Sequence, residues 1–187
     1  SKSINMNTLE GISYTVAKTK IKRGVDRVTQ AYWNEYKTTL KEYKTTIAPA
    51  LYMRLGTPFE IRLRTQIMLG CDPFNATLKR FGIITHTDKC VYCPTKSETV
   101  DHFLCGCPLY THHRRILYRT FRKVYPNRER KFDHKGLLME PTTKLGVYRH
   151  REVIKAMNTY LSPAMRTRRN CLSKNDIWSD LDTIFDT

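Results

Sequence analysis

Four of the chain's six cysteines and one histidine fall within CVYCPTKSETVDHFLCGC, residues 90 to 107. No other stretch constrains the fold as tightly, because thiols this close must share a metal, form disulfides or pack together in one small core. Cys90 and Cys93 have two residues between them, the spacing at which a tight turn aims two thiolates at one ion while backbone N–H groups bond to the sulfurs. His102 follows after eight residues and Cys107 after four more, giving C-x2-C-x8-H-x4-C. Three thiolates and an imidazole suit tetrahedral Zn2+, with sulfur at about 2.3 Å and nitrogen at about 2.0 Å. Four protein ligands leave no position for water, so the expected cofactor is one structural zinc ion. Cys105 competes with Cys107 for the fourth place, and Cys71 and Cys171, outside the cluster, read as core residues.

Charge identifies the class of partner. Lys and Arg number 33 against 17 Asp and Glu, a formal charge of +16, which points to a polyanion, nucleic acid above all. A membrane is not the expected partner, since no apolar run approaches the roughly 20 residues that span a bilayer. The start SKSINMNTLE lacks the basic head and apolar core of a signal peptide, so a reducing compartment, nucleus or cytoplasm, is expected. There, clustered cysteines bind metal more often than they pair as disulfides. A chain beginning at Ser1 reads either as a portion of something larger or as one carrying a protease scar.

The rest of the chain has helical periodicity. Ile21, Val25, Val28, Tyr32, Tyr36, Leu40, Tyr43 and Ile47 recur in steps of three or four, which predicts one helical face with a basic outer side. Further helices are predicted over Phe59–Leu69, closed by Gly70, over Asn75–Phe81, over Thr111–Tyr125 and over Lys144–Leu161. Between them, IITHTDK reads as a brief β-like approach to Cys90, Ser97 as the cap of a short helix carrying His102, and PNRERKFDHKG as a polar loop. The expected fold is mainly α, a helical domain with a small inserted CCHC zinc-binding knuckle. Its parts are a basic helical segment (1–58), a helical lead-in (59–89), the knuckle (90–110), basic C-terminal helices (111–170) and an acidic tail (171–187).

The stretch CVYCPTKSETVDHFLCGCPLYTHHRR resembles the cysteine-histidine motif at the carboxyl end of non-LTR retrotransposon reverse transcriptases. In that family C-x2-C is followed by an acidic-Thr-hydrophobic step, matched by Glu98, Thr99 and Val100. Then come His, four residues, a Cys-Pro pair and an Arg slightly downstream; Cys107-Pro108 fits that pair and favours Cys107 over Cys105. ISYTVAKTKIKRGVDRVTQAYWNEY is similar to the segment after the family's ribonuclease H domain, with Trp33 at its tryptophan, and the likeness covers most of residues 12 to 160. The resemblance implies a module that holds template RNA or target DNA for catalytic domains elsewhere in the polypeptide.

Catalytic signatures are missing. No Tyr/Phe-x-Asp-Asp marks a polymerase palm, no set of carboxylates suits ribonuclease H, and Asp133, Glu140 and Lys144 lack the order of the family's endonuclease. The chain itself is therefore expected to be non-catalytic. The nucleic-acid contacts are assigned to Lys89, Lys96, His112, His113, Arg114, Arg115, Arg119, Arg122 and Lys123, with Tyr92, Tyr110, Tyr118, Phe81 and Tyr125 available to stack on unpaired bases. Phe121 is assigned to the core. One alternative is a captured module serving as an RNA- and protein-binding component of a ribonucleoprotein. Another is a metal-dependent nuclease using His112, His113, Asp133 and His134.

Overall fold

A computed structural model describes residues 14–48 and 51–173. The described chain is mainly helical and has no strand. It divides into two compact units, residues 14–38 with 45–48, and residues 39–44 with 51–173.

The first unit is built on α1 (Tyr14–Glu35), a helix with no buried residue. Gln30 ties the returning segment to it: its side-chain amide donates to Thr45 O at 3.1 Å, and its carbonyl accepts from the Ile47 amide at 3.0 Å. The expected helix to Ile47 stops twelve residues early, and Tyr43, which continues the apolar spacing, is instead buried in the core of the second unit. Lys44, which the helical spacing would put on the basic outer side, is buried too.

The second unit opens with single 3-10 turns at Thr39–Glu42 and Leu51–Arg54, followed by α2 (Pro58–Leu69). Thr57 and Glu60 form a capping box, each side chain accepting from the other's backbone amide, and Gly70 closes the helix at φ 69°. After α3 (Asn75–Arg80) the chain approaches the cysteine cluster without a strand; a lone antiparallel bridge, Lys89 to Ser97, stands in the predicted β-like place.

α4 (Thr111–Val124) and α6 (Lys144–Ser173) form the main helical pair. They run antiparallel: His113 near the start of α4 bonds Thr167 near the end of α6, and Arg149 at the start of α6 reaches Val124 O. Leu117, Phe121 and Val124 of α4 face Ile154, Met157 and Leu161 of α6 in a core completed by Phe74, Phe103, Tyr110 and Tyr160. α6 continues through Pro163 to Ser173, because Leu161, Ala164, Arg168 and Leu172 prolong its buried face. In chain order α5 (His134–Leu138) comes between the two, in the segment expected as loop; Asp133 caps it by accepting from the Gly136 amide at 2.7 Å. No helix among the described residues is long and apolar enough to cross a membrane. The acidic residues from Asp176 onward lie outside the described residues.

Candidate metal centre and basic helix

The loop from Cys90 is closed by its own backbone. The Cys90 amide donates to Lys96 O and the Lys96 amide to Cys93 O, both at 2.9 Å, just inside the Lys89–Ser97 bridge. Within it the amides of Tyr92 and Cys93 reach the Cys90 sulfur, as the C-x2-C spacing predicts.

The second half of the site rests on a wider turn. Residues His102–Gly106 wind as a π turn, closed by the Cys107 amide on His102 O at 2.6 Å. An α-helix advances about 100° per residue, so side chains five apart would sit about 140° apart around its axis. The i→i+5 turn brings them to one side. This gives the four residues between His102 and Cys107 a structural reason. The cap is Thr99, whose hydroxyl accepts from the His102 amide at 3.1 Å; Ser97, expected in that role, bonds Asp88 instead. Phe103 and Leu104 cover the cluster from the core side, both fully buried.

The ligand atoms of Cys90, Cys93, His102 and Cys107 all lie within 4.8 Å of one another, a group that can hold a metal ion. The Cys107 sulfur is 3.8 Å from that of Cys90 and 4.0 Å from that of Cys93. Such separations are far beyond a disulfide's roughly 2.05 Å and match the edge, about 3.8 Å, of a tetrahedron with sulfurs about 2.3 Å from its centre. His102 Nε2 is buried without a hydrogen-bond partner. An orphaned ring nitrogen beside three thiols is what a bound cation would satisfy, so the residues present fit the ion. The Cys107 sulfur and the two amides hold the Cys90 thiol down to about 5, while the same sulfur contact, with burial, pushes Cys107 up. Cys105 stands outside the group, its thiol pushed by burial to about 12. Cys107 is thus the fourth member.

Two arginines hold this loop in place, and neither role follows from the charge pattern. Arg114 was expected to face nucleic acid. It is 8% exposed and donates to Leu104 O (2.7 Å), Cys107 O (2.9 Å) and Phe103 O (3.2 Å), carbonyls in and just after the π turn. Arg168 bonds both oxygens of Glu98, at 2.7 and 2.6 Å, and Asn75 Oδ1 at 3.1 Å, while Asn75 donates through its side-chain amide to Lys89 O. α3 and α6 are thereby joined to the loop through one buried ion pair. A sequence signal existed for Arg168: it occupies an apolar-face position in the series Leu161, Ala164, Arg168, Leu172.

The other expected contacts divide by exposure. His112, Arg115, Arg119 and Lys123 are exposed along one face of α4, and Lys96 is exposed on the loop. Lys89 is half-buried beside Asp88 at 3.8 Å, and His113 is held by Thr167. Arg122 lies over the Tyr118 ring, 5.3 Å from its centroid. Among the aromatics, Tyr92, Tyr118 and Phe81 are exposed, whereas Tyr110 and Tyr125 are buried and cannot stack on a base; Phe121 is in the core as expected. Cys71, expected in the core, is exposed, and Cys171 is half-buried.

His112, His113, Asp133 and His134 form no second metal-binding group among the described residues. Asp133 caps α5, and His134 Nδ1 pairs with Asp101 Oδ1 at 2.9 Å. That pair borders a cleft of about 450 Å3, lined also by Asp72, Arg80 and Thr99, which the sequence did not suggest. Compared with family models, curated proteins and solved structures, the chain matches none.

Proposed function

We propose that this chain is a non-catalytic, zinc-stabilised nucleic-acid-binding module, the C-terminal region of a non-LTR retrotransposon reverse transcriptase. The observation that carries this reading is the exposed cationic edge of α4, Arg115, Arg119 and Lys123 with His112, on a helix that begins four residues after Cys107. Arg114 fixes the start of α4 to the π turn, so an ion held by Cys90, Cys93, His102 and Cys107 would orient the whole edge. Zinc is the ion that a three-thiol, one-imidazole set favours, and its contribution is structural. RNA and target DNA are the expected ligands, bound chiefly through phosphates.

Fluorescence anisotropy with single-stranded RNA and duplex DNA probes across a salt series tests the assignment. The triple variant R115A/R119A/K123A lowers affinity at least about tenfold on every sequence and reduces the salt slope by about 2 to 3. Unchanged binding would move the interface elsewhere. Divalent-metal-dependent cleavage by the purified chain would favour the nuclease alternative. A polymerase reading frame upstream of Ser1 separates an element's own C-terminal region from a captured ribonucleoprotein component.

A further inference from the structure

α1 carries a sequence pattern that the nucleic-acid reading leaves unused. None of its 22 residues is buried, and Tyr14, Ile21, Val25, Val28 and Tyr32 are between 57% and 79% exposed. These five, with Lys18 and Glu35, occupy positions 14, 18, 21, 25, 28, 32 and 35, alternating steps of four and three. That is the seam of a coiled coil sustained over three heptads. A lone helix has no use for such a seam, and water-facing valine and isoleucine add little to its stability.

The two charges in the seam select the occupant. Lys18 is near one end and Glu35 is at the other. When two copies of α1 lie antiparallel, Lys18 of one faces Glu35 of the second copy, Ile21 faces Tyr32, and Val25 faces Val28. Each contact is made twice by symmetry. A parallel pair would set lysine on lysine and glutamate on glutamate, so the ends of the seam oppose that arrangement.

The flanks agree with close approach. Ala17, Gly24 and Ala31 form a row of small residues along one edge of the seam, and a Cβ on Gly24 would meet nothing within 4 Å in the single chain. Lys22 shares the other edge with Thr15 and Thr29 and faces the Thr29 end of the second copy, while Lys20, Arg23, Asp26 and Arg27 fall on the far side of the helix, so no like-charge clash reaches the seam. An antiparallel pair has a twofold axis between Val25 and Val28, so the assembly closes at two copies.

We propose that α1 is a self-association helix, pairing antiparallel with α1 of a second copy of this chain. The test is sedimentation of the full, nucleic-acid-free chain between about 1 and 100 µM. A monomer–dimer equilibrium is expected, weakened at least about a hundredfold by V25D/V28D. K18E and E35K each weaken dimerisation about tenfold, and the double variant K18E/E35K restores it. That reciprocal rescue also rules out a folding defect as the cause, because both single variants keep the same helix. A chain that stays monomeric throughout overturns the proposal and leaves the seam to a different protein. Single variants without effect, or a double variant no better than either, overturn the antiparallel pairing.

Discussion

Residues 90–110 and residues 14–35 are nearly equal in length, yet they obtain their order from opposite sources. In the cysteine loop, side chains from α3, α4 and α6 converge: Asn75 bonds the Lys89 carbonyl, Arg114 the Cys107 carbonyl and Arg168 the Glu98 carboxylate. In α1 the bonds run within the unit, from Thr19 and Thr29 to carbonyls one turn back and from Gln30 to Asn34 and residues 45–47. The first region is specified by residues up to 93 positions apart, as between Asn75 and Arg168. The second is specified by local propensity, which for an isolated helix is marginal in water. Charge separates them as burial does: residues 90–110 hold Lys96 against Glu98 and Asp101, whereas the cations of residues 14–35 outnumber its two carboxylates.

Removing the ion or a ligand should separate the two regions most sharply. Chelation, or C93S with H102A, is expected to cost the cysteine loop more than about 4 kcal/mol, the range of lost structural metals. Metal analysis of reduced wild-type protein should return one zinc per chain. Amide exchange should show loss of protection in residues 90–110 and none in α1. An unchanged melting temperature on chelation would show that the core holds the loop without metal.

Next in size is the Glu98–Arg168 pair. Both side chains are almost wholly buried, so Arg168→Met leaves a carboxylate without its partner in the interior and should cost about 3–5 kcal/mol. Adding Glu98→Gln removes the stranded charge and should recover part of that loss. If the single change cost no more than the double, the carboxylate would have found water, and the loop would be less tightly held than its hydrogen bonds imply.

A smaller effect depends on pH. His150 is buried against Tyr125, whose hydroxyl lies 2.8 Å from Nδ1, and burial, aided by nearby Arg130, lowers its pKa to about 3. Between about 6.5 and about 3 the unfolded chain takes up a proton that the folded chain does not, so stability falls as pH drops through this window and is unaffected above it. The slope reaches at most about 1.4 kcal/mol per pH unit. Metal ligands also protonate in acid, so the informative quantity is a difference. Urea titrations at pH 7 and pH 5 should show a smaller acid loss in His150→Leu than in wild type, by about 1–2 kcal/mol; equal losses would mean that His150 is protonated in the fold.

How much of this was legible in the sequence follows the same division. α2 was readable because Gly70 is a local stop signal, while its start signal, the Thr57–Glu60 capping box, shows only in the structure. The four-ligand set was readable because its spacing is short. The π turn was not, since the same residues would serve an α-helical turn until the Cys107 amide chooses its acceptor. Arg114 was misplaced because an arginine facing carbonyls and one facing phosphate look alike in a basic run. The stripe to Ile47 misled for a related reason: Leu40 and Tyr43 keep helical spacing, but Tyr43 belongs to another core, and the intervening threonines favour helix only weakly.

The smallest predicted effect is the one that belongs to α1 alone. Gly24 stands in the helix interior, where a Cβ would meet nothing within 4 Å, so Gly24→Ala adds helix propensity without a steric cost. The gain is about 1 kcal/mol in the helix–coil balance of α1. It should appear as slower amide exchange across residues 14–35, with stability of the cysteine loop unchanged within about 0.5 kcal/mol. Were the loop stabilised by the full amount, α1 would unfold together with it, and the contrast between a region ordered by distant side chains and one ordered by its own backbone would fail. Were exchange in α1 unaffected, the helix would owe its order to something other than propensity, and the seam along Ile21, Val25, Val28 and Tyr32 is the surface through which a second chain would supply it.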